Sequence, residues 1–300
     1  MKHNNELVRK IQLKELEILK VFQDICKRHG LRYFAIGGTC LGAVRHKGFI
    51  PWDDDVDVAM PYEDYAKFLE LANSELPENY GILDPINSRH CAFFSYFKIH
   101  DIKTAFIENA ALKYEDRYAG IFIDVFPVHG LPENERERKQ ILFCSSVIKK
   151  FNHKLRFNFN DVSSFNGFIL WVLCSPLKLF LPFNYFALKH PNMMSRYTFG
   201  CSDKILFPWR GNKPNSEGWY KNIFCYEDFK DTLELPFEDT TISVPSGYDR
   251  YLTMDFGDYM TLPPEEKRIN HAEFSGGGIV DFERSYKYYA ALKRAGKPLC

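Results

Sequence analysis

From Leu7 to Arg28 the apolar residues Val8, Ile11, Ile18, Phe22 and Ile25 recur near helical spacing, which predicts an amphipathic helix with Gly30 as its stop. The pattern then shortens. Tyr33-Phe34-Ala35-Ile36 is an apolar strand closed by Gly37-Gly38, and Thr39 opens a second helix over Cys40 to His46. Further on, Val56 and Val58 alternate with Asp55 and Asp57, a period of two that turns the valines into the core and both acids to one face. Pro61 to Leu76 returns to the helical period, with Tyr62, Tyr65, Phe68, Leu69, Ala72 and Leu76 on one side and Pro61 at a first-turn position. Cys91 to Glu108 reads as two strands around a turn at His100-Asp101. Gly120 to Val128, GIFIDVFPV, is an apolar strand interrupted by a single acid, Asp124.

The second half is less regular. Glu133 to Lys139 is charged, a helix start or an exposed loop. Residues Phe165 to Leu188 are rich in aromatic and apolar side chains, but Pro176, Lys178 and Pro182 fall near the middle, which speaks against a bilayer-spanning helix. Buried helices are the leading reading there, and an interfacial segment docking on a membrane is the alternative. Phe207 to Tyr220, with Trp209, Arg210, Gly211, Trp219 and Tyr220, reads as an ordered loop; Gly276-Gly277-Gly278 reads as a flexible linker with no strand-to-helix frame for a phosphate loop.

Composition narrows the class. The 300 residues and 45% hydrophobic content support a substantial core in one large or two small domains. Lys+Arg and Asp+Glu both total 39, a balance that argues against a general nucleic-acid binder. Eight cysteines are scattered with no C-x-x-C pair, the usage expected of reduced cytosolic thiols. The polar, charged N-terminal stretch has no secretory pattern.

The candidate chemistry sits between Gly37 and Met60. Glycine lets backbone approach a ligand, and a helix start offers N–H groups with a favourable dipole, so Gly37, Gly38 and Thr39 could cradle a phosphate. The bland reading of a glycine pair after a strand is a turn, and that of an acid run is a solvated face. Asp53 falls on the alternation of Asp55 and Asp57, whereas Asp54 faces away. Like charges held side by side call for a cation, and hard carboxylates suit Mg²⁺ or Mn²⁺. An EF-hand is excluded, since Val58 stands where glycine is needed and Asp64 where glutamate is needed. Asp124, alone in an apolar strand, must be salt-bridged or put to use. Arg45 and His46 could reach the same anion from the helix or tie the loop to an acid. Lys98 is a snorkelling surface lysine or a point charge for phosphates. Trp52 offers an aromatic face beside the acids, and His271 is a base or a structural histidine.

The run GGTCLGAVRHKGFIPWDDDVDVAM closely resembles the signature of LicD-type phosphotransferases, bacterial phosphocholine transferases related to fukutin and fukutin-related protein. These lie in the DNA polymerase beta-like nucleotidyltransferase superfamily, with Gly-Gly-Ser/Thr, then Asp-x-Asp, then a third acid on a later strand. The resemblance covers about Tyr33 to Val128 and Ile223 to His271. It implies an α+β fold, a nucleotidyltransferase-like mixed sheet flanked by helices with a mostly helical, aromatic-rich second region. The expected division is a catalytic core over 1–130, a hydrophobic insert or second lobe over 131–222, and a distal part over 223–300 completing the domain. It further implies catalytic Asp55, Asp57 and Asp124 holding a divalent cation, Mg²⁺ or Mn²⁺, and donor phosphates on Gly37, Gly38, Thr39 and Lys98; from the residues themselves, Asp53 is a further metal candidate by alternation, and Arg45 and His46 are further phosphate candidates by their place on the helix. The donor would be a CDP-alcohol, CDP-choline foremost. The acceptor would be a glycan or lipid-linked glycan, with no nucleic acid involved. The expected location is cytoplasmic, with peripheral membrane contact through 165–188 as the alternative. A nucleotidyltransferase placing NMP on a small acceptor, a metal-dependent glycosyltransferase and a non-catalytic scaffold are the competing classes.

Overall fold

Helical and alternating periods translate into elements in the expected order. The computed structural model describes residues 2–84, 96–155, 193–208, 222–268 and 278–299, together with Ile169, Val172, Pro176 and Tyr185. Along the chain these are α1 (Lys2–His29), β1 (Phe34–Ala35), α2 (Gly37–His46), β2 (Asp57–Pro61), α3 (Tyr62–Glu75), β3 (Tyr80–Leu83), β4 (Phe97–Asp101) and β5 (Ala105–Glu108). There follow β6 (Phe122–Gly130), α4 (Glu135–Leu155), β7 (Lys204–Leu206), β8 (Ile223–Cys225), β9 (Thr232–Phe237), β10 (Thr240–Pro245), α5 (Tyr248–Phe256), β11 (Gly278–Asp281) and α6 (Tyr286–Arg294). Gly30 ends α1 in the left-handed region at φ 64°, where a side chain would be strained.

The fold is α+β, a curled mixed sheet flanked by helices. Its order is β1-β2-β6-β4-β3, with β7 on β6 and β8 on β7. Strand β6 is long enough to pair β4 through Phe122–Val125 and β7 through His129–Gly130. Among the described residues only β2 and β6 run parallel in this sheet. The hairpin β9-β10 and the ladder β5-β11 are separate two-stranded sheets. One core runs from Leu16 to Leu252, with Phe22, Phe34, Phe68, Phe97, Phe207, Phe229, Phe237 and Tyr251 fully buried. Each such ring contributes about 2–3 kcal/mol on removal from water, and together they hold α1, the β9-β10 hairpin and α5 against one sheet.

Several sequence expectations need correction. Helix α2 begins at Gly37 and not at Cys40, because the glycines form its first turn. The turn after β4 lies at Ile102–Thr104, since His100 and Asp101 still belong to the strand; Asp101 shapes it by accepting from Lys103 N–H (2.9 Å) and from Thr104. Strands β4 and β5 flank that turn but join different sheets. Gly278 is in β11, paired with Glu108, where any Cβ would collide with the Ile107 carbonyl. The charged run at Glu133–Lys139 is a helix start, capped by Asn134 Oδ1, which accepts from Arg136 and Glu137 N–H. The loop around Trp209–Tyr220, His271, Gly276 and Gly277 lies outside the described residues. So does most of 165–188, in which Ile169 and Val172 are exposed. Among the described residues no helix is long and apolar enough to cross a membrane.

Candidate active site

The site is set by the position of β6, with β2 parallel on one side and β4 antiparallel on the other. Register aligns Asp57, Asp124 and Lys98 in one row across the three strands, so their side chains share a face. Lys98 Nζ lies 2.8 Å from Asp124 Oδ1 and 3.4 Å from the centroid of the Phe122 ring. At 3% exposure Lys98 is not the snorkelling surface lysine of the bland reading. Its charge is spent on Asp124.

Electrostatics mark the row as strained. Asp57 is raised well above the usual carboxylate range, first by burial and then by Asp55, Asp124 and Asp53. Asp124 is pushed up to about 6, because burial outweighs the opposing pull of Lys98. Asp53, Asp55 and Asp57 are half-buried, while Asp54, Val56 and Val58 are buried, which is the expected alternation.

Helix α2 points its first turn at these acids. Gly37 has φ 55°, a left-handed value that favours glycine, and its N–H donates to the Tyr251 hydroxyl at 2.7 Å. A Cβ at Gly37 would sit 3.3 Å from Asp57 Oδ2, and one at Gly38 would collide with Asp53 Oδ2. The glycines therefore leave the space the carboxylates occupy. Thr39 is buried, and its Oγ1 accepts from Asp57 N–H at 2.8 Å, so the hydroxyl fixes the start of β2.

The acid loop between α2 and β2 is clamped from outside. Gln12 Nε2 on α1 donates to Ile50 O (3.2 Å) and Asp53 O (2.8 Å). Glu238, at the β9-β10 turn, accepts from Phe49 N–H (3.1 Å), and its own N–H donates to Lys47 O (2.9 Å). Arg9 holds Glu238 at 2.6 Å and draws its carboxyl below the usual range.

The structure does not bring Arg45 and His46 to the glycine end. They occupy the last turn of α2, about 12 Å along a helix that rises about 1.5 Å per residue. Arg45 donates to His46 Nε2 (2.9 Å) and to Tyr259 O (2.7 Å), tying α2 to the segment after α5. Burial and the charge of Arg45 lower His46. Trp52 has His46 at its edge, 6.3 Å between centroids, and Arg268 over its ring at 5.2 Å.

Sequence reasoning missed Glu15. On α1 the spacing Val8, Ile11, Ile18, Phe22, Ile25 leaves position 15 on the same apolar line, and that gap was the available signal. Glu15 is 2% exposed, and its carboxyl is raised well above the usual range by burial and then by Asp55, Asp54, Asp53 and Asp124.

Among the described residues no group of three His, Cys, Asp or Glu side chains is gathered so that it could hold a metal ion. The donor set is an open row of hard carboxylate oxygens beside a helix start. That suits a cation which completes its shell with water and phosphate oxygens, as Mg²⁺ does.

The family described as LicD/FKTN/FKRP, nucleotidyltransferase domain, matches residues 30–172. The lipopolysaccharide cholinephosphotransferase LicD of Haemophilus influenzae is 30% identical over 279 residues, covering 88% of this chain and 95% of its own. The ribitol 5-phosphate transferase FKRP of Homo sapiens and that of Mus musculus are each 46% identical over 59 residues, 20% of this chain and 12% of theirs.

Proposed function

The chain belongs to the LicD family, and from that membership we propose a metal-dependent phosphotransferase that moves phosphocholine from CDP-choline to a sugar hydroxyl. The acceptor is a cell-surface glycan or its lipid-linked precursor. The observation that carries the reading is the row Asp57, Asp124, Lys98 lying in register beneath the glycine start of α2. The similarity to a cholinephosphotransferase along nearly its whole length supports choline over other alcohols.

In this reading the acceptor oxygen bonds to the choline-bearing phosphorus, the bond to CMP breaks, and CMP leaves with the shared bridging oxygen. Asp55 and Asp57 would hold Mg²⁺ or Mn²⁺, with Asp53 as a further ligand, and Asp124, paired with Lys98, is left for proton transfer. Once bound, the cation neutralises diphosphate charge and acidifies the incoming hydroxyl. The first-turn N–H groups of α2 at Gly38 and Thr39 bind phosphate oxygens, with the helix dipole adding to the attraction. Asp124 takes the hydroxyl proton. A carboxyl pushed up to about 6 is a better base than an ordinary aspartate yet stays ionised at neutral pH. Lys98 keeps it so and orients it. Thr39 holds Asp57 in place through its backbone.

The test is a panel of labelled CDP-choline, CDP-ribitol, CDP-glycerol, nucleoside triphosphates and nucleotide sugars, offered with lipooligosaccharide and Mg²⁺. Phosphocholine on the acceptor with release of CMP is the expected result. Appearance of NMP on the acceptor would make the protein a nucleotidyltransferase, and appearance of sugar a glycosyltransferase.

A further inference from the structure

Among the described residues two that are not glycine hold a left-handed backbone, Lys47 at φ 58° and Glu238 at φ 55°. A side chain is strained there and persists only where its surroundings hold it. The two meet across the start of the acid loop. The Glu238 N–H donates to Lys47 O (2.9 Å), and Glu238 Oε1 accepts from Phe49 N–H (3.1 Å). Between them, a Cβ at Gly48 would collide with the Glu238 carboxylate. Glycine at 238 would relieve the backbone but leave Phe49 N–H without this acceptor, so the strain goes with the carboxylate. Arg9 Nη2 donates to Glu238 Oε2 at 2.6 Å, and Arg9 Nη1 donates to Gln12 Oε1 at 3.1 Å. Gln12 Nε2 in turn donates to Ile50 O (3.2 Å) and Asp53 O (2.8 Å). One unbroken run of side chains therefore grips the backbone at 47, 49, 50 and 53, joining the tip of the β9-β10 hairpin to α1.

We propose that Arg9, Gln12 and Glu238 are positioning residues of the transfer reaction, a bracket that keeps Asp53 and the acids after it in place against the first turn of α2. Asp53 Oδ2 already fills the space that a Cβ on Gly38 would take, so a small drift of the loop would move the acids off the glycine turn. Arg9 is the joint of the bracket: without it both direct grips remain, but they are no longer tied to each other. Its bond to Glu238 is charge-assisted, the stronger kind. A misplacement of about 1 Å in reacting groups costs about 100-fold in rate, which is the scale such a bracket can control. Its role in transfer rests on the phosphotransferase reading above, whereas the bracket itself rests on the hydrogen bonds.

Steady-state kinetics with labelled CDP-choline, thermal melts and amide hydrogen exchange by NMR are compared for full-length wild type, Arg9→Met, Glu238→Gly and the double variant. Each single variant should lower kcat by about 10- to 100-fold while KM for CDP-choline changes less than about threefold. Melting temperatures should fall by no more than about 3 °C, since a partly exposed pair contributes little and glycine relieves position 238. The double variant should lose no more kcat than the worse single one, because the bracket is already broken. In Arg9→Met the Phe49 amide should exchange at least about tenfold faster although Glu238, its acceptor, is still present. Wild-type kcat in both single variants, or a loss that only follows the fraction of unfolded protein, would overturn the positioning role. If wild type transfers no phosphocholine, the phosphotransferase reading falls and takes the role in transfer with it. Exchange then decides the bracket alone, and an unchanged Phe49 amide in Arg9→Met overturns it.

Discussion

The two ends of α2 come from one unbroken stretch, GGTCLGAVRH, but they face different surroundings. The first turn lies against Asp53 and Asp57, with glycines where any side chain would press on the carboxylates. The last turn donates its arginine to the backbone of Tyr259 and packs its histidine at the edge of Trp52. Adjacency in a motif therefore does not imply a shared ligand. One end is shaped by the charge it must meet, and the other by the segment it must hold.

The largest effect expected is at the first end. Asp57→Asn should lower phosphocholine transfer by about 10²- to 10³-fold or more, the scale of losing a group that stabilises transition-state charge. Its metal-free melting temperature at neutral pH should not fall, because the amide removes repulsion from Asp55, Asp124 and Asp53. Calorimetry beside a labelled-choline assay checks both.

Next comes Lys98→Met. Removing one partner of a buried pair costs about 3–5 kcal/mol, so the denaturant midpoint should drop clearly. Lys98 pulls Asp124 downward, so without it the carboxyl rises above about 6, and the acidic limb of kcat/KM should move to higher pH. A limb that stays in place would separate Asp124 from proton transfer.

A third effect is on stability against pH. Asp124 is raised to about 6 in the folded chain, so it binds a proton more tightly folded than unfolded. Its contribution to stability is fully present below the ordinary aspartate value and is lost as pH rises through about 6. His100 acts oppositely. Burial holds it down to about 3, with Nδ1 accepting from Gly120 N–H, so it withdraws stability as pH falls from the ordinary histidine value toward 3. In metal-free Asp57→Asn/Asp124→Asn the loss of stability through about pH 6 should shrink while the histidine trend persists, as followed by thermal melts from pH 4 to 8.

The smallest effect is expected at the far end of α2. Arg45→Ala should lose its tie to Tyr259, about 1 kcal/mol of stability, and less than about tenfold in turnover. A loss as deep as that of Asp57→Asn would erase the contrast between the two ends.

Local periodicity made much of this legible. The alternation of Val56 and Val58 with the acids, and the lone Asp124 in an apolar strand, single out these carboxylates as candidates from the sequence alone. What periodicity could not supply was register. That Lys98 stands level with Asp124 depends on strand pairing between segments with no local signal linking them. The contacts of Gly37 with Tyr251 and of Arg45 with Tyr259 each span 214 residues, beyond any window of pattern. The start of α2 was misplaced because a glycine pair usually marks a turn, whereas here the pair is helical and kept small by Asp53 and Asp57. Glu15 was legible as a break in a stripe, but its meaning required the acid loop to be seen beside it.

The most direct test is an anomalous difference map from crystals soaked with Mn²⁺ and CDP-choline. A manganese peak should lie against the carboxylates of Asp55 and Asp57, with the donor diphosphate between that peak and the first turn of α2. Donor and manganese bound elsewhere, with Asp57 and Asp124 touching neither, would contradict the assignment of this row as the centre of transfer.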